Sequence, residues 1–166
     1  EETSSETPQE KTLIVPGFTY KGYHNGSHYY MSDISKNWNN ANNICVNNSG
    51  NLAVITNQSE NEFLSSITEG LEYWIGLFDI QNYPNCSWVT GEPFEYENIS
   101  NNINTSNYGT IAGSSGVNNW DDMPESSQLP FLLEIPNHML TSVDCDSVAV
   151  LNLTIIDPDT SYTTIT

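Results

Sequence analysis

Apolar positions along the chain come in short runs broken by polar, asparagine- and glycine-rich stretches. That pattern predicts small strands and short helices rather than long ones. Residues 11–15 and 28–31 read as extended segments, with a turn at Asn25-Gly26 between them. Residues 35–46 carry a helical pattern: Trp38, Ala41, Ile44 and Cys45 are spaced by three, three and one, which puts them on one face. Ser35 is the expected N-cap, and Asn48-Ser49-Gly50 the stop. Residues 52–55 form a short apolar strand. A second helix is predicted over 59–67, with Asn57 as N-cap, Glu60 at capping-box distance and Phe63, Leu64 and Ile67 as its buried stripe. Residues 73–77 read as a core strand, and 87–90 and 94–96 as strands flanking the turn Gly91-Glu92-Pro93.

Periodicity disappears between residues 98 and 119, an Asn/Ser/Gly/Thr stretch that reads as one long loop. Loops of that length inside a compact domain are uncommon and usually carry function. Trp120-Asp121-Asp122-Met123-Pro124 follows, and residues 131–135 supply a closing strand. After Pro136 an alternating apolar segment over 145–155 precedes a Thr-rich tail. The expected organisation is an acidic tail or linker over 1–15, one domain over 16–136, and a linker opening into a further β-module over 137–166.

Charge narrows the function. The 166 residues hold 21 acids against three lysines and no arginine, a formal net charge of −18. No basic footprint exists to meet phosphates, so nucleic acid is excluded as a partner, and an anionic membrane surface equally. No apolar run reaches the length of a membrane span, so no membrane insertion is expected. No signal peptide is read, so the chain is taken as a mature or excised segment. The acidity favours divalent counter-ions. Asn-x-Ser/Thr sequons at Asn25, Asn47, Asn57, Asn85, Asn98, Asn104 and Asn152 follow from the asparagine-rich composition. Cys45, Cys86 and Cys145 permit at most one internal bridge, and spacing does not choose the pair. His24, His28 and His138 are scattered, and no nucleophile–base set or phosphate loop has a recognisable context, so no enzyme is expected.

The order of motifs resembles the C-type lectin-like domain. Trp38-x-x-Ala41-x-x-x-Cys45, Gly50-x-Leu52-Ala53-x-Ile55, Trp74-Ile75-Gly76-Leu77, Trp88-Val89-x-Gly91, the long loop, Trp120-Asp121-Asp122 and Phe131-Leu132-Leu133-Glu134 follow one another at family spacing. The resemblance covers about residues 18–135. It implies an α+β fold in which two helices flank small antiparallel sheets beside a long irregular loop. It makes Trp38, Ala41, Leu52, Trp74, Ile75 and Leu77 core residues. The family's usual bridge joins the cysteine of the first helix to the last strand, where Leu133 stands instead. The tail after the domain resembles segments of large secreted proteins of marine Bacteroidetes, which suggests a cell-surface adhesin.

The resemblance also implies calcium. Sugar-binding members hold Ca2+ at the long loop, and vicinal sugar hydroxyls complete a shell of six to eight oxygens. Carried over, the metal ligands are Asp121 and Asp122 with Asn102 and Asn104; the ligand-binding set adds Ser106, Asn107 and Trp120. The family's central proline is absent between Asn102 and Asn104, Glu92-Pro93 lies too early, and the later glutamate falls near Ser106. The blander role for the two aspartates is capping backbone N–H groups at the foot of the loop. A second, structural calcium maps to Val54, Glu60 and Glu134; the blander role for Glu134 is a solvent-facing place on an edge strand. The expected function is a calcium-dependent carbohydrate-binding module of an extracellular, cell-surface adhesin, its partner a glycan or cell-surface glycoconjugate. The alternative is a calcium-independent protein- or peptide-binding domain using the loop over 98–119, with ice binding or a rigid spacer role below it.

Overall fold

The computed structural model describes residues 13–99, 106–111 and 119–137. The chain opens with β1 (Phe18–His24) and β2 (Ser27–Ser32), an antiparallel hairpin closed by Asn25 and Gly26, both at positive φ. Helix α1 (Trp38–Asn47) follows, then the two-residue β3 (Asn51–Leu52), helix α2 (Gln58–Thr68) and β4 (Tyr73–Phe78). A single 3-10 turn at Ile80–Asn82 leads to β5 (Ser87–Trp88), β6 (Tyr108–Ile111), β7 (Trp120–Met123) and β8 (Leu132–Pro136).

The strands form two four-stranded sheets, β1-β2-β8-β3 and β5-β4-β6-β7, antiparallel throughout. The last strand therefore returns to lie between β2 and β3, which closes the domain. Strand alternation divides the core. Tyr29, Ile75, Leu77, Trp88, Ile111 and Trp120 fill one cluster; Tyr30, Trp38, Cys45, Trp74, Phe131 and Leu133 fill the other. The indoles of Trp38 and Trp74 are tied by their N–H groups to the carbonyls of Ile75 and Lys36, so each large ring enters the core with its one donor satisfied.

Several boundaries differ from expectation, each for a local reason. The segment over 11–15 is not a strand in its described part, 13–15: Val15 is buried, but Leu13 and Ile14 are exposed. The first strand is Phe18–His24, whose polar, glycine-containing sequence masks the alternation where the register shifts between Tyr20 and Gly22. The N-cap of α1 is Asn37, not Ser35; its side chain accepts from the backbone N–H of Asn40. Residues 53–55 are buried but leave the ladder after Leu52. Residues 94–96 are not a strand; Phe94 and Tyr96 pack against Trp120. The stretch expected to be loop throughout contains β6. The tail strand over 145–155 lies outside the described residues.

Cys45 and Cys86 are both buried and unbridged. Burial pushes the Cys45 thiol far above its ordinary range, so it behaves as a small apolar side chain. It shares a core cluster with Leu133, so the last strand meets α1 by packing rather than by a covalent link. A reducing agent is accordingly expected to leave the urea midpoint unchanged, while Cys45→Ala lowers stability by about 1 kcal/mol. A midpoint that falls on reduction shows that a bridge exists.

Candidate functional site

The site is built at the foot of the long loop, on β7. The chain pairs Ile111 with Trp120, Thr110 with Asp121, Gly109 with Asp122 and Tyr108 with Met123. Strand period then turns Trp120 and Asp122 to one face and Asp121 to the other. Trp120 is fully buried, edge-on to Trp88 at 5.4 Å and to Tyr96 at 5.7 Å. Its indole N–H donates to Asn61 Oδ1 at 2.7 Å, and its backbone N–H to the carbonyl of Asn98 at 2.8 Å.

Asp122 is 4% exposed. Its Oδ2 accepts the backbone N–H of Ser106 at 2.6 Å, and its own N–H donates to Asp121 Oδ1 at 2.9 Å. The carboxylate thus reaches back across the start of β6, where Gly109 faces it. A Cβ on Gly109 would stand 2.8 Å from Leu77 Cβ, so glycine is what lets β6 lie flat on β4. Asp121 sits near Glu72, whose carboxyl is pushed up first by burial and then by the Asp121 charge. Asn107, next to Ser106, has a buried side-chain oxygen with no hydrogen-bond partner among the described residues. Asn102 and Asn104 lie outside the described residues. Of the loop-site residues, the fold brings Ser106 onto Asp122, with Asp121 next to it but alternating to the other face of β7 and Asn107 following Ser106 in the chain; Trp120 is a buried anchor.

A second gathering of oxygens lies under the first sheet. Tyr29 stands directly opposite Glu134 in the β2–β8 ladder. Glu134 Oε1 accepts from Ser27 Oγ at 2.8 Å and Oε2 from the Val54 N–H at 3.0 Å. Glu60, 5% exposed, accepts from the Tyr29 hydroxyl at 2.5 Å through Oε1, and from the N–H and hydroxyl of Thr56 at 2.8 and 3.1 Å through Oε2. Burial above all, then the Glu134 and Glu60 charges, hold the Tyr29 hydroxyl protonated, so it always donates. Burial pushes Glu134 up to about 7; the bonds from Val54 and Ser27 oppose this, and the charges of Glu60 and Glu92 add to it. Glu134 is half-buried, and its strand is not an edge strand: β8 is interior to its sheet. Val54, Glu60 and Glu134 are brought together.

Among the described residues no group of three or more His, Cys, Asp or Glu side chains forms a metal cluster. The Glu60 and Glu134 carboxylates lie close enough for the charge of one to disfavour the charge of the other, a setting that a cation relieves. The unpartnered Asn107 oxygen is the corresponding feature at the loop site. Sequence reasoning missed Ser27, Tyr29, Asn61 and Glu72. Asn61 was signalled by helical spacing: it precedes Leu64 by three and Thr68 by seven on the buried face of α2.

A model of the C-type lectin domain family matches residues 34–135. The chain belongs to the C-type lectin domain family. That family consists generally of non-enzymatic binding proteins. This C-type lectin domain is 45% identical over 74 residues to rat C-type lectin domain family 4 member F, covering 45% of the chain and 14% of that protein. It is 33% identical over 126 residues to human C-type lectin domain family 4 member K, covering 69% of the chain and 37% of that protein. The chain thus spans well under half the length of these two curated relatives. The solved structure of human lithostathine superposes with a TM-score of 0.64 at 26% identity, covering 82% of this chain and all of that one. The expected α+β architecture, two helices with small antiparallel sheets, is the fold of that structure. Among the described residues no helix is long and apolar enough to cross a membrane.

Proposed function

We propose that this C-type lectin domain is an extracellular, calcium-dependent carbohydrate-binding module of a larger cell-surface protein, an adhesin. The observation that carries the reading is the buried side-chain oxygen of Asn107, next to Ser106 in the chain, which has no hydrogen-bond partner among the described residues. Such an oxygen costs about 1–3 kcal/mol unless a cation or a ligand hydroxyl meets it. Asp121, Asp122, Asn102 and Asn104 would hold the loop ion, and Val54, Glu60 and Glu134 a structural one. Calcium bound at the loop supplies open coordination positions for vicinal hydroxyls. Asp122 orients the loop through Ser106, and Trp120 fixes the strand beneath. The relatives named above are rat and human proteins, and the tail that resembles Bacteroidetes segments lies outside the described residues.

Glycan-array binding is expected in calcium and not in chelator. Asp122→Asn keeps an acceptor for the Ser106 N–H but drops the charge; it is expected to weaken calcium binding roughly tenfold by titration calorimetry. Sugar binding that survives chelation, or no heat on adding calcium to the wild type, overturns the reading. The second reading, calcium-independent protein or peptide recognition by the loop over 98–119, is favoured by one observation: Asp122 closes the foot of the loop through Ser106 with no ion required. It predicts partner binding that is indifferent to chelator and lost when the loop is shortened.

A further inference from the structure

Strand β7, which carries the two aspartates, lies at the edge of its sheet. On one side it pairs with β6; on the other, among the described residues, Asn98 and the Ile99 bridge meet the backbone of Trp120. The ring of Trp120 is enclosed by Trp88, Phe94 and Tyr96, contacts that are apolar and carry no hydrogen bond to the indole. The indole makes one directional bond, its N–H to Asn61 Oδ1 at 2.7 Å, with Trp120 fully buried and Asn61 2% exposed. Indole has a single donor, and at this depth no bulk water can replace the acceptor. Asn61 is itself held by α2, whose N-terminus is anchored by the Asn57 side chain accepting from the Glu60 N–H.

We propose that Asn61 is the positioning residue of the loop site: through the Trp120 indole it holds β7, and with it Asp121 and Asp122, in register under the loop. The inference rests on the proposed role of those aspartates in binding, but the anchoring itself does not. The amide is placed one residue after Glu60, so the helix that supplies a ligand of the structural ion also aligns the strand of the loop ion.

The test compares Asn61→Leu, which removes the acceptor, with Asn61→Asp, which keeps an oxygen in the same place. Hydrogen exchange of the amides over 119–123 is read against that of β8, together with calcium affinity by titration calorimetry. Asn61→Leu is expected to speed exchange in β7 about tenfold while β8 is unchanged, and to weaken calcium binding by a similar factor. Asn61→Asp is expected to restore β7 protection even if its melting temperature falls. Unchanged β7 exchange in Asn61→Leu, or an equal rise in every strand, overturns the proposal. A wild type that takes up no calcium overturns the proposed function instead, and the exchange comparison still decides the role of Asn61.

Discussion

Gly50→Ala is expected to cost this domain more than about 3 kcal/mol, the upper end of what overpacking does in a well-packed interior. A Cβ at Gly50 would stand 2.3 Å from the carbonyl oxygen of Glu134, 2.7 Å from Leu133 Cδ1 and 3.0 Å from Ile135 Cγ1. The first of these is backbone and cannot rotate away. Relief requires β3 to move off β8, which breaks the pairing of Asn51 with Glu134 and Leu52 with Leu133. The Val54 N–H that reaches Glu134 follows directly on that strand, so the oxygen pocket loosens as well. Urea unfolding measures the loss. A midpoint within the equivalent of about 1 kcal/mol of wild type would mean that β3 and β8 separate freely and that the close approach is not required.

How much of this was legible beforehand follows from where the signals are local. Helix α2 was readable because cap and stripe sit within one short segment: Asn57 accepts from the Glu60 N–H as the spacing predicts. The start of α1 was misplaced by two residues because Ser35 and Asn37 are both good caps, and only the chain's path past the Lys36–Leu129 bridge decides between them. Strand β6 was invisible. Tyr108-Gly109-Thr110-Ile111 is four residues in an asparagine-rich stretch, and it becomes a strand because β4 and β7 bond it from both sides. The acids of the loop site stood out as a doublet after a tryptophan. Ser106 is among the expected ligand residues, but its backbone N–H as the partner of Asp122 was not legible, and Asn61 and Glu72 went unseen because they reach the site from distant parts of the chain. Tyr29 read as a strand residue, and only the pairing register shows it facing Glu134.

In chelator, the domain is expected to lose about 2.5 kcal/mol of stability between pH 4.5 and pH 7 through Glu134 alone. Its carboxyl is raised from the ordinary 4.5 to about 7 in the folded protein, so the folded state binds the proton more tightly than the unfolded chain does. The stabilisation is complete below the unfolded value and is lost as pH rises through the folded one. The groups facing it set the sign: Glu60 and Glu92 repel its charge, Ser27 and Val54 support it, and Tyr29 stays protonated and contributes no charge of its own. The 21 acids of the chain repel one another and add a general slope in the same direction, so the measurement is a difference. Glu134→Gln removes the titration while keeping a carbonyl oxygen for one of the two donors, and its stability is expected to fall less steeply with pH by that amount. Equal slopes in the two proteins rule Glu134 out as the source. Calcium acts on the same balance. An ion between Glu60 and Glu134 binds the ionised pair, so adding it is expected to return the lost stability at pH 7 in the wild type and to do little at pH 4.5, where protons compete. Calcium that leaves the pH 7 midpoint of the wild type unmoved shows that this pocket is held together by its own five hydrogen bonds and a proton.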